Sequence, residues 1–442
     1  MNVLYINEDI FFNTLKSDCI FNYKISSNKE LLKFCFCLND DIYILNQINI
    51  KIVYENIEKI DQIYIYDLKE FSKPFVNNGL ILNYKNFVDI KIILNDIFRK
   101  DIELEDDEIK NISSISLKND LKLFSNKNYE LDIIPYQIFN ENLLNKSLID
   151  ETNVLNKIKQ YIKNNYVKKE FTKILHESSI TYSIIENNKC YIDFKHPNYK
   201  YSNIKNYFID YIENTKLANL SYNLTKTSTG RLSSNFHTIQ KKFEKCIVSR
   251  FEDQGIIVSL DFSNFEIKTL FKIFKIKNLN IDLYSFYSTI LNKNRTELKN
   301  SIIPFLYGYK VRNKELENIK ELKELKYRIL DYIKNVKKNQ IVCNTGKTIV
   351  YNNLEDVREK SINNICQNEA VYIFLIFLNY FSNLMISNNI KSKIIATKHD
   401  SIILDCFIDE YHLLSDIIKQ SLKILENEFV VYTLKCNKIG EI

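Results

Sequence analysis

Glycine and proline are nearly missing from this chain, with six glycines and four prolines in 442 residues, and tryptophan is absent. Alanine is also scarce while asparagine, isoleucine and lysine are heavily used, a bias that reads as AT-rich coding rather than as a structural class. No CxxC pair occurs among the nine scattered cysteines, so neither a zinc site nor a disulfide framework is indicated and a reducing interior is expected. No charge of one sign dominates. The net charge of +6 permits a polyanionic partner without requiring one. No apolar run is read as long enough to span a membrane, and "MNVLYINEDIFF" lacks a basic lead followed by an apolar core and a small-residue cleavage site. A soluble, unsecreted protein is therefore expected, cytoplasmic in a bacterium or in the host of a virus. What the chain does have is length and apolar content enough for two or three domains.

Residues 1 to about 100 read as an α/β module. "DDIYILN" and "QIYIYDL" have the β-branched and aromatic richness of strands, and "FVDIKIILNDIF" reads as helix. Residues 101–150 are charged and broken up. Between Asn156 and Leu175 the pattern is one amphipathic helix whose polar side carries Lys157, Lys159, Lys163, Lys168, Lys169 and Lys173. Such a face is either simply solvated or tracks phosphates.

Further on, "GIIVSLDFSNFEIKTLFKIF" reads as an apolar strand ending at Asp261 and turning into a helix, and "SKIIATKHDSIILDCF" as a hairpin with His399-Asp400 at its tip. Either acid alone would suit a turn. Between them lies "NRTELKNSIIPFLYGYK", where Arg295, Lys299, Ile303 and Tyr307 are spaced four apart. Successive fours on an α-helix drift by only about 40°, so the four share one stripe. Arg and Lys one turn apart can grip a phosphate chain; an exposed basic patch is the plainer alternative.

In this order the pieces resemble the A-family DNA polymerases, the class of bacterial DNA polymerase I. "YNLTKTSTGRLSS" is similar to the family's Thr-Gly-Arg-Leu-Ser-Ser segment, "LDFSNFEIK" to motif A, "RTELKNSIIPFLYG" to motif B and "KHDSIILD" to motif C. "INNICQNEA" resembles the segment ending in a groove-reading Gln, and "VCNTGKT" the turn between fingers and palm. The resemblance runs from about residue 141 onward. Gly230, Gly308 and Gly346, half of the chain's glycines, fall inside the matched motifs, where backbone needs close approach or positive φ.

The resemblance implies an α/β and α+β multidomain protein of right-hand polymerase form: an antiparallel palm sheet, helical fingers and thumb, and an N-terminal exonuclease-like (RNase H-like) α/β domain. Its boundaries would be 1–140 for the exonuclease-like domain, 141–215 for the thumb and 216–442 for palm and fingers, with fingers at about 275–350. Phosphoryl transfer from a nucleoside triphosphate needs two divalent ions clamping the attacking and leaving oxygens. Asp261 and Asp400 are the implied ligands of two Mg2+ ions, and oxygen donors suit magnesium. Arg295 and Lys299 are implied on the triphosphate, Lys299 also as a catalytic group, with Ile303, Tyr307, Glu266 and Tyr284 completing the nucleotide site. Arg231, Gln367, Asn363, His399, Gly308 and a thumb lysine, Lys205 in "IKNYFID", are implied on primer-template DNA. Minor-groove acceptors are nearly the same in every correct pair, so Arg231 and Gln367 would test pair geometry rather than sequence. Glu266 with Tyr307 implies deoxynucleotide selection, and the related single-subunit RNA polymerases lack that Glu. The expected partners are primer-template DNA and dNTPs, with no membrane; the protein is expected as a monomer, and no processivity factor or helicase-primase is identifiable.

Four positions depart from the family pattern. Ile303 stands where an aromatic stacks on the incoming base, Pro304 follows it, Ser401 replaces the Glu of motif C, and Tyr284 replaces a His. A polymerase relic that binds primer-template without copying is the alternative they motivate; a metal-dependent phosphohydrolase would share the paired acids but not the motif B stripe. In the N-terminal module the exonuclease acids match Asn22 and Lys24 in "IFNYKIS", Phe71 in "YDLKEFSKPF" and Asn140 in "YQIFN". None is a carboxylate, so an inactive scaffold without proofreading is expected, unless acids such as Asp67 or Asp89 form a site of their own.

Overall fold

The structure, a computed structural model, describes residues 3–6, 18–25, 31–38, 41–45, 48–96, 117, 141–193, 217–239, 244–277, 282–308, 311–427 and 429–439. They fall into two compact units, residues 1–168 with 175–187 and residues 169–174 with 188–442. Asn140 and Lys205 lie outside the described residues.

In the first unit six strands, β1 (Val3–Ile6), β2 (Cys19–Ile25), β3 (Leu31–Leu38), β4 (Asp41–Leu45), β5 (Ile63–Ile65) and β6 (Phe87–Asp89), form one sheet in the order β1–β4–β3–β2–β5–β6. β2, β3 and β4 run antiparallel, while β1 joins β4, and β5 joins β2 and β6, in parallel. Side chains alternate across a pleated strand, and here both sets are apolar, so both faces must be covered. Phe21, Phe34 and Phe36 pack with α1 (Ile50–Ile57) and α2 (Leu68–Asn77) on one face. Ile20, Cys35 and Ile44 pack on the other with Leu148, Leu155, Ile158 and Ile162 of a long helix, α4 (Glu141–Asn165). Residues 87–94, expected as helix throughout, begin as β6 because they pair with β5; Asp89 then caps α3 (Ile90–Leu94), accepting from the Lys91 N–H at 3.0 Å.

The lysine-rich stretch expected as one helix is two, α4 ending at Asn165 and α5 (Glu170–Asn188) following. Lys159 donates to the Asp18 carbonyl at 3.1 Å, Lys163 pairs with the Asp18 carboxylate and Lys173 with Glu170. Lys159, Lys163 and Lys173 are thus engaged locally, which favours the plainer reading of that face.

The positions matched to the exonuclease acids divide. Asn22 and Lys24 share the β2 face that α4 covers, and Lys24 Nζ sits 2.5 Å from Glu151 Oε2 with both side chains 2% exposed. Asn22 Nδ2 donates to the Leu148 carbonyl at 3.3 Å and Thr152 Oγ1 at 3.3 Å. Glu151, which nothing in the sequence pattern singled out, is therefore neutralised by an ammonium. Phe71 is core, its ring 5.2 Å from that of Phe75 and 6.1 Å from that of Phe34. Asp67 and Asp89 do meet: Lys91 Nζ pairs with Asp67 at 2.5 Å, and burial together with the Asp67 charge pushes the Asp89 carboxyl up to about 7.

The second unit is organised by a four-stranded antiparallel sheet. Its strands are β7 (Gly255–Phe262), β8 (Lys393–Lys398), β9 (Ser401–Phe407) and β10 (Leu434–Lys438), in the order β8–β9–β7–β10. Around it lie α6 (Phe265–Ile273), α7 (Leu283–Leu291), α8 (Arg295–Tyr307), α9 (Lys320–Asn335), α10 (Leu354–Ser387) and α11 (Tyr411–Lys423). By length and composition α10 is long and apolar enough to cross a membrane, against the sequence expectation. It is apolar on several sides because it has several neighbours: Phe262 packs edge-on to Phe377 at 5.3 Å, and α6 and α11 both pack against it.

Candidate active site

β7 pairs with β9 so that Asp261 faces Ser401, which puts Asp400, at the tip of the β8–β9 hairpin, beside Asp261. His399 takes φ +58°, the left-handed conformation that turns the chain there. Asp261 Oδ2 accepts from Ser259 Oγ at 3.2 Å and from Asn437 Nδ2 at 3.1 Å. Burial and then the Asp261 charge raise the Asp400 carboxyl above the usual range, against the pull of Arg231 and Lys299. Ser401 does not extend the acidic set: its hydroxyl donates back to the Lys398 carbonyl at 2.8 Å and closes the turn.

Both acids line a cavity of about 600 Å3 together with Glu266, Tyr284, Arg295, Lys299, Arg231, Gln367 and His399. α8 supplies the two cations from consecutive turns, and it runs through Pro304 to Tyr307. Its end is tied down by Lys326 of α9, whose ammonium donates to the Phe305 carbonyl at 2.5 Å and the Gly308 carbonyl at 2.7 Å. A cation suits the unpaired carbonyls of a helix C-terminus. Ile303 and Pro304 line a neighbouring cavity of about 450 Å3 with Glu266 and Lys299. The Tyr307 hydroxyl is buried beside the Cys366 thiol and makes no hydrogen bond to Glu266, which lies within electrostatic reach. Burial, then the Asp400 charge, raises the Glu266 carboxyl.

The Thr-Gly-Arg loop is fastened from α10. Asn368 donates to the Thr229 carbonyl at 2.9 Å and accepts from Thr345 Oγ1 at 2.6 Å. The next residue up the helix, Gln367, lines the cavity and donates to Asn363 at 2.9 Å. Gly230 has φ +81°, and a Cβ there would lie 2.2 Å from the Phe171 ring. Gly230→Ala should therefore destabilise the fold by about 1–3 kcal/mol. Thermal unfolding unchanged from wild type would show that the loop does not need this conformation. Gly308 has an ordinary φ of −73°; there it is space that is short, since a Cβ would lie 2.8 Å from the Pro304 carbonyl oxygen.

No protein-family model matches the chain. A curated relative, the DNA polymerase of Bacillus phage SP01, is 24% identical over an alignment of 298 residues that takes in 54% of this chain and 32% of the relative. The chain thus spans about a third of that protein's length. Among solved structures it is similar to the POL domain of Pol1 from M. smegmatis, in complex with DNA primer-template and dNTP, with a TM-score of 0.66, 11% identity and coverage of 97% of this chain and 96% of that one. The chain shares the fold of that polymerase domain.

The sheet β8–β9–β7–β10 lies in the range expected as palm, and α8 in the range expected as fingers. Several residues around the cavity escaped the sequence reading. Asn264 takes φ +56° and is buried on the cavity wall with both amide atoms unpartnered among the described residues. His237 packs 5.0 Å from His399, and burial, then His399 and Arg231, lowers it to about 4. Asp282, Lys435 and Asn437 surround the acids and cations of motifs A and B. A polar alternation, Lys435 and Asn437 in "LKCNK", was the one signal available, and it points nowhere until β10 is paired with β7.

Proposed function

We propose that this chain is a template-directed DNA polymerase that adds deoxynucleoside monophosphates to a primer 3′ end and does not proofread. The observation that supports it most is that two carboxylates, one on a palm strand and one at the tip of a palm hairpin, share one cavity with two cations from a fingers helix, an arginine from the Thr-Gly-Arg loop, and Glu266. The donor set fits hard divalent ions: Asp261 and Asp400 offer oxygen, burial and then the Asp261 charge raise Asp400, and a dication would offset both. Asp261 and Asp400 would hold magnesium, which when bound activates the primer hydroxyl and neutralises charge on the phosphates.

The chain's own groups account for the rest. Arg295 and Lys299 would hold the triphosphate and offset charge that moves to pyrophosphate. Arg231 and Gln367 would reach the minor groove at the primer end, with Asn363 fixing the Gln367 amide. Tyr284, in the place of a family His, lies beneath the Arg295 guanidinium at 5.6 Å and would support its orientation. Ile303 would face the incoming base with aliphatic rather than aromatic surface. The relic reading draws on Ser401, since its turn-closing hydrogen bond leaves the palm one acid short.

A primed template with magnesium and dNTPs separates the two readings: extension supports the polymerase, and binding without extension supports the relic. The same template with a mismatched 3′ end, and no dNTPs, should stay intact. Lys24 pairs with Glu151 and Lys91 with Asp67, so each of these two carboxylates already has a cation beside it that a metal ion would have to displace. Shortening of that primer by the purified chain would overturn the inactive-scaffold reading.

A further inference from the structure

Asp282, the N-cap of α7, is held by two cations from different elements: Arg295 Nη2 of α8 lies 3.2 Å from Asp282 Oδ2, and Lys435 Nζ of β10 lies 3.0 Å from the same oxygen. Both cations line the catalytic cavity beside Lys299. Partial burial works to raise the Asp282 carboxyl, but the Lys435 hydrogen bond, the Ser285 N–H and Arg295 outweigh it and hold it well below the usual range.

Lys435 reaches this place by register. It pairs with Asp261, and Asn437 with Ser259, so these four residues alternate onto one face of the palm sheet. The strand is pinned there: the Ser263 N–H donates to the Thr433 carbonyl at 2.9 Å, and Lys268 donates to the Val431 carbonyl at 2.9 Å.

Resting on the polymerase reading, we propose that Lys435 is a third cation of the nucleotide site and that Asp282 stands in for a polyphosphate when none is bound. Two cations converging on one carboxylate are spaced for a shared anion, and a triphosphate offers more negative oxygens than Asp282 does. On nucleotide binding Lys435 and Arg295 turn to the β- and γ-phosphates, and after transfer they hold pyrophosphate. Lys435 is half-exposed, so little in the fold depends on its head group. Asn437 keeps its place on Asp261 throughout.

Lys435→Ala should raise KM for dNTP about tenfold and the inhibition constant of pyrophosphate by a similar factor, with kcat changed by less than about threefold; Lys435→Arg should restore both. Asp282→Asn keeps a good N-cap but removes the competing charge, and should tighten pyrophosphate binding by at least about threefold. Calorimetric titration of the full chain with magnesium pyrophosphate reads the same site without turnover. A wild-type chain that extends primers while Lys435→Ala leaves KM and pyrophosphate inhibition unchanged would overturn the assignment of Lys435 and leave the polymerase reading intact. Looser pyrophosphate binding in Asp282→Asn would overturn the stand-in role. A wild-type chain that binds magnesium pyrophosphate, with the Lys435 response, yet extends nothing would overturn the polymerase reading alone.

Discussion

Asp261→Asn and Asp400→Asn should each lower primer extension by at least about 1,000-fold, on the order of 4 kcal/mol of transition-state stabilisation. Asn has the shape of Asp but half its capacity for a hard cation. At position 261 it can still accept the hydrogen bonds that Ser259 and Asn437 donate, so the palm should keep its geometry. Binding to a primed duplex should be unchanged or slightly tighter, because affinity for DNA comes mostly from phosphate contacts and each change removes a negative charge. The measurement is single-turnover extension beside equilibrium binding at one salt concentration. Extension that survives both substitutions would remove the two-carboxylate mechanism, and lost binding would mean the acids hold the site together rather than act in it.

Glu266→Ala should raise incorporation of rNTPs relative to dNTPs by about 100-fold, on the order of 3 kcal/mol of preference. Glu266 stands on the first turn of α6 and lines both the catalytic cavity and the smaller one under Ile303. A carboxylate in that space crowds a 2′-hydroxyl and leaves its hydrogen-bonding capacity unsatisfied. The Tyr307 hydroxyl lies beside the Cys366 thiol and makes no hydrogen bond to Glu266, so it does not hold Glu266 in place here. Tyr307→Phe should therefore change sugar choice by less than about fivefold, well below the effect of Glu266→Ala. Competition between labelled dNTP and rNTP on one template measures both. Equal use of the two sugars by wild type, with no response at position 266, would place Glu266 outside the sugar site.

Residue types and spacing fixed where the candidate side chains point, and the family resemblance supplied the chemistry proposed for them. Asp261 at a strand end, Asp400 at a hairpin tip, and Arg295, Lys299, Ile303 and Tyr307 at fourfold spacing are local patterns, and local backbone geometry turns each into a defined direction for its side chain. The left-handed turn at Gly230 was legible for the same reason, since little but glycine is at ease there. Other outcomes depended on partners far away in the chain. Nothing near Lys435 or Asn437 says that they flank Asp261; that follows from β10 pairing with β7 across more than 170 residues. Glu151 meets Lys24 only because α4 covers the β2 face, and that contact, not the missing acids alone, decides what the N-terminal cluster can hold. The sequence reading did not single out α10 as long and apolar enough to cross a membrane, and only its packing against Phe262, α6 and α11 accounts for its apolar surface. Local conformation is governed by each residue's own sterics and hydrogen bonding, so it can be read in sequence; charge neutralisation, strand register and burial are set by which segments meet, and those the tertiary structure alone decided.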